Sequence, residues 1–170
     1  QLLKLKHTNT QIYMKKLTLF FAFCFSILSF AQMPNIQRIW LNNGAPYNGT
    51  IANHGERLRV KINVSEQDKA NDQSYFIAGE TVVDQVTSKF EGKITITKFK
   101  ASKKINKVYA EYDLAEEPTR KHSGILKGKL IYTFTWDETL QKAIDHRMKF
   151  EGKWISYDDT LNLKTQWSNN

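Results

Sequence analysis

Cysteine is nearly absent from this chain: Cys24 is the single one among 170 residues. A lone thiol staples nothing, and it lies in a segment expected to be removed, leaving no thiolate metal site or thiol nucleophile. Acidic residues are missing from the whole stretch before Glu56. Beyond that stretch's expected cleavage site, histidine is limited to His54, His122 and His146. No two of them stand at i, i+2 or i, i+4, so no metal-ligating motif is present. The chain also lacks a G-x-S-x-G elbow, a phosphate loop and a zinc-helix motif. Helical periodicity is missing too. The best window, residues 65–74, has Ser65 in capping position but no apolar stripe to bury.

What stands at the N-terminus is an export pattern. Met14 is followed by Lys15 and Lys16, then the apolar run Leu17 to Phe30, then Ala31. That order is a positive n-region, an apolar h-region and a small-residue cleavage site. Cleavage after Ala31, with Ser29 two residues before it, exposes Gln32. The run is too short to cross a hydrocarbon core of ~30 Å comfortably. Phe23 precedes Cys24 where a lipoprotein signal wants a small residue. Residues 1–13 therefore read as translated leader upstream of the true start, 14–31 as a secretory signal peptide, and 32–170 as a single domain. The stretch MKKLTLFFAFCFSILSFAQ resembles the secretory signals of flavobacteria and their relatives, which implies export to the periplasm or beyond.

The formal charge of +8 is partly carried by this leader. Lys4, Lys6, Lys15 and Lys16 lie before the cleavage site and no acid does, so the +8 falls to +4 on processing. Lysines and acids are mixed along the remainder with no dense basic stripe, which argues against a nucleic-acid partner.

Alternation is the strongest pattern. Leu58, Val60, Ile62 and Val64 interleave with Arg57, Arg59, Lys61 and Asn63. Val108, Ala110, Tyr112 and Leu114 interleave with Tyr109, Glu111 and Asp113. Leu126, Leu130, Tyr132, Phe134 and Trp136 share one parity within their run, as do Met148, Phe150 and Trp154 in the next and Leu161, Leu163 and Trp167 in the last. Period two puts an apolar set on one face and a wet set on the other, which suits antiparallel sheets. Polar turn residues break the chain into about eight strands. The expected fold is all-β: an antiparallel up-and-down barrel, with a two-sheet β-sandwich as the alternative. The charged outer face excludes an outer-membrane barrel, whose lipid-facing side must be apolar.

FEGK occurs at 90–93 and again at 150–153, with LKGK between them at 126–129 and a looser YNGT at 47–50. The unequal intervals exclude a fixed-period repeat. Gly92, Gly128 and Gly152 share parity with the apolar residues around them, so they face inward. Inward glycines let a sheet curl into a tight barrel or make room for a facing aromatic ring.

FEGKW at 150–154 and the early Trp40 resemble the G-x-W element of lipocalin-like barrels. In that family the element opens the first strand. Here Gly152 and Trp154 stand near the end of the chain, and Trp40 follows Arg38-Ile39 with no glycine. The resemblance implies a barrel of that general kind and names no ligand.

The acid pairs Glu116-Glu117, Asp137-Glu138 and Asp158-Asp159 fall at expected turns, where such side chains cap local backbone. Asp68 and Asp72 lack the rest of any calcium-loop motif. No catalytic residue, metal ligand or cofactor is expected. The inward aromatics are the remaining constellation: Tyr132, Trp136, Trp154 and Trp167 are the candidate ligand contacts, with N–H and O–H groups as handles on an apolar wall. The leading expectation is an exported, non-enzymatic binding module for an apolar small molecule or a cell-envelope component, with no membrane span in the processed chain. The alternatives are an envelope glycan hydrolase working through paired carboxylates and an interaction protein with a filled barrel.

Overall fold

A computed structural model describes residues 35–52, 55–118, 123–140 and 142–169. The leader and its cleavage site, His54 and His122 lie outside the described residues. Eight strands follow in chain order: β1 (Tyr47–Ile51), β2 (Glu56–Gln67), β3 (Ser74–Val83), β4 (Val86–Lys100), β5 (Asn106–Glu116), β6 (Gly124–Asp137), β7 (Lys142–Ser156) and β8 (Asn162–Ser168). Each pairs antiparallel with the next, and β8 returns to pair with β1. The sheet closes into an up-and-down barrel, which leaves no free edge and excludes the sandwich. No described helix is long and apolar enough to cross a membrane.

The alternating side chains build the interior in layers. In the middle layer Phe150 and Trp167, register partners on β7 and β8, stack with centroids 3.5 Å apart and planes 8° from parallel. Tyr47 and Tyr112 meet that stack edge-on. Below it a short helix, α1 (Gln37–Trp40), precedes β1 and drives Trp40 into the barrel end. Trp40 lies edge-on to Tyr75 and Tyr132, at 5.8 Å and 6.3 Å between centroids. The Tyr47 hydroxyl donates to the Trp40 carbonyl at 2.8 Å, tying the plug to β1. No helix was expected here, because one turn is too short to display a helical period. The opposite end has no such plug among the described residues.

Three irregularities correct the expected alternation. Asn63 is an extra residue in β2 opposite β3, and Thr97 is one in β4 opposite β5. The β6–β7 ladder slips between Thr133 and Thr135. A one-residue slip sends every later side chain to the other face. Val64, expected inside, is exposed, and Ser65 is buried in its place. Trp136, also expected inside, is 41% exposed for another reason: the extra residue of the β6–β7 slip lies on β7, so Trp136 keeps its parity but stands one residue from the end of β6. All three lie toward the plugged end, as bulges at a barrel rim do. Leu161, expected inside, is exposed at the other end, one residue before β8 begins.

The inward glycines are positions of close backbone approach. A Cβ on Gly152 would fall 2.2 Å from the Lys127 carbonyl oxygen and 2.8 Å from the Cα of Gly128, its partner on β6. It would also meet the Tyr112 hydroxyl at 2.6 Å. Both expected reasons therefore apply at once: tight coiling, and room for an aromatic ring from β5.

Burial has a consequence for pH. It pushes the Tyr132 phenol up to about 12. The phenols of Tyr47, Tyr75 and Tyr112 are also raised, with burial the leading cause. Unfolded tyrosine ionises near pH ~10. Above that pH the unfolded chain sheds protons that the folded chain keeps, so stability is whole below about pH 10 and falls as pH rises through the raised values. Urea midpoints should be clearly lower at about pH 11 than at about pH 9; equal midpoints would contradict the burial of these phenols.

Candidate functional site

At the end opposite Trp40 the barrel interior opens into a cavity of about 330 Å³. Ligand cavities run ~300–1,000 Å³, so this one suits a small molecule. Its walls are the inward residues of the strand ends: Leu58 from β2, Leu126 from β6, Trp154 from β7 and Leu163 from β8. Val86 and Leu161 form an apolar lip and are exposed. A wider depression of about 740 Å³ lies on the outer wall over Gly128 and Gly152, but its sides carry Lys93, Lys129 and Glu151 and it is a solvated groove.

One carboxylate organises the cavity floor. Glu116 ends β5 on the inward parity of Tyr112 and Leu114, and it is 5% exposed. The Thr81 hydroxyl of β3 donates to its Oε1 at 2.5 Å. The Gly124 N–H of β6 and the Trp154 indole N–H of β7 donate to its Oε2, at 3.1 Å and 2.9 Å. Every contact is a donor, the set that an acceptor-only ionised carboxylate satisfies. The same residue is gripped through its backbone: the Tyr157 hydroxyl donates to the Glu116 carbonyl, and the next amide, of Glu117, donates to the Lys89 carbonyl at 2.9 Å. Four of the eight strands thus meet on one side chain. Glu116 was expected to be a turn cap, and that expectation is corrected: it is a buried interior acceptor. Continuing the parity of β5 by one residue would have found it.

The other acid pairs behave as turn chemistry. Asp137 accepts the amides of Thr139 and Leu140. Asp158 accepts the Ser156 hydroxyl and both the hydroxyl and the amide of Thr160, which together hold its carboxyl down at about 2. Asp68 accepts the amide of Ala70. Among the described residues no three potential ligands converge as a metal site would require.

The four candidate aromatics are not brought together. Trp154 lines the cavity, with its N–H turned to Glu116. Trp167 belongs to the filled middle layer. Tyr132 sits beneath, in contact with the plug, and shares a 2.9 Å hydrogen bond with His146 Nδ1. His146 lies on β7. Trp136 is exposed near the end of β6 and does not line the cavity. Missed entirely were the acids: Glu56 and Asp84 also line the cavity, and Glu56 Oε2 is buried with no hydrogen-bond partner.

No protein-family model, no curated protein and no solved structure matches this chain.

Proposed function

We propose that this chain is an exported binding barrel that holds a small apolar molecule in the cavity opposite the Trp40 plug. The observation that carries this is the asymmetry of the interior: packed aromatic layers on one side, an apolar space of about 330 Å³ on the other. A core that merely fills its barrel would have no reason to stop packing at Leu126 and Trp154. Export is supported by the pattern from Met14 to Ala31. A binding role is favoured over hydrolysis because both oxygens of Glu116 are committed to protein donors. A general acid needs a proton to give toward a substrate.

The test uses a neutral apolar fluorophore, N-phenyl-1-naphthylamine, titrated into the protein. It should bind with blue-shifted emission and quench Trp154. Leu163→Trp, which fills the cavity from β8, should weaken binding by about tenfold or more, equivalent to at least ~1.4 kcal/mol. No binding, or equal affinity in the variant, would overturn the proposal.

A further inference from the structure

We infer that the molecule held in this cavity is an apolar amine: a hydrocarbon or aromatic body bearing one protonated nitrogen. This rests on the binding reading above and adds the chemistry of the head group. Among the described residues that line the cavity there are three carboxylates, Glu56, Asp84 and Glu116, and no lysine or arginine. That is the reverse of the chain as a whole, which carries 25 lysines and arginines against 17 acids. A carboxylate taken out of water is costly unless its charge is answered. Glu116 is answered only by neutral donors, from Thr81, Gly124 and Trp154. Glu56 is half-buried, with its Oε2 shielded and without a hydrogen-bond partner, and Asp84 is exposed at the mouth.

The space between these acids is walled by leucine, valine and tryptophan, which lower the local dielectric and lengthen the reach of the negative field. An ammonium group brings a positive charge, which no described lining residue offers these acids, and N–H donors for the unpartnered Glu56 Oε2. Its hydrocarbon part would cover Leu126, Leu163 and the Trp154 ring. A carboxylate ligand would meet like charge from Glu56, Asp84 and Glu116, with only Thr81 and Ser88 as neutral polar neighbours. A neutral alcohol would gain one hydrogen bond and no ion pair. The order of preference among head groups on one identical chain is therefore amine, then alcohol, then carboxylate.

The experiment is displacement of bound N-phenyl-1-naphthylamine from the full chain at neutral pH by octylamine, octanol and octanoate. Octylamine should displace the probe at a concentration at least tenfold lower than octanoate, with octanol between. Glu56→Gln should narrow the amine–carboxylate gap severalfold, and so should raised salt if the pairing is ionic. Octanol or octanoate displacing as well as octylamine would overturn the amine assignment while leaving the binding role standing. A gap unchanged in Glu56→Gln would overturn the part assigned to that acid. Failure of the fluorophore and of all three octyl compounds to bind would overturn the binding role and the assignment together.

Discussion

Gly152→Val should leave the barrel unable to fold stably. A Cβ at this position would sit 2.2 Å from the Lys127 carbonyl oxygen and 2.8 Å from the Gly128 Cα. Both obstacles are backbone of β6, and a sheet closed on itself cannot move one strand without disturbing the next. The Tyr112 ring blocks the remaining direction, with its hydroxyl 2.6 Å away. Valine adds two further methyl groups to that collision. The expected penalty is more than ~4 kcal/mol, against a total stability of roughly 5–15 kcal/mol for a domain of this kind. Gly44→Ala is the control. It has open space around it, and its φ of +80° is the only obstacle. That strain costs about 1–2 kcal/mol. Thermal melts followed by circular dichroism should show Gly44→Ala melting modestly early and Gly152→Val without a cooperative transition near the wild-type temperature. A wild-type melt for Gly152→Val would mean that β6 and β7 do not approach as described.

Glu116→Ala should be the next most damaging change. It strips the acceptor from the Thr81 hydroxyl, the Gly124 amide and the Trp154 indole in one step. Unsatisfied buried donors cost about 1–3 kcal/mol each. Water entering from the adjoining cavity will answer part of this, so a net loss of about 3 kcal/mol is expected, or a melting temperature lower by roughly 10 °C. Glu116→Gln should fall between, because it keeps one acceptor oxygen but turns an N–H₂ group toward donors. The Trp154 indole N–H resonance should move in both variants. An unshifted melt and resonance in Glu116→Ala would remove this side chain from the account of the barrel's open end.

The closed barrel was legible because its evidence is local and redundant. Every strand repeats the same alternation, and the glycines of FEGK and LKGK carry the parity of their apolar neighbours. The plug was not legible: its burial rests on Trp40 alone, in a helix of one turn. Trp136 and Val64 were misplaced for other reasons. For Val64 it is a bulge, a property of two strands in register that nothing in the residues around Asn63 announces; Trp136 keeps its parity but stands one residue from the end of β6. Glu116 was hidden by its chemistry. An acid beside another acid and a proline reads as a turn, and the donors that make burial tolerable come from Thr81, Gly124 and Trp154 on three other strands. The candidate site was therefore only partly foreseen, through Trp154. Its acids emerge when the strand ends are brought round the barrel.

The most direct test of the central claim is a ¹H–¹⁵N correlation spectrum of the protein titrated with octylamine. Shifts should concentrate at the amides of Ser88, Glu116 and Gly124 and at the Trp154 indole N–H, with the Trp40 and Tyr132 signals unmoved. Shifts centred on Trp40 and Tyr132, or spread over the outer wall around Gly128 and Gly152, would contradict it.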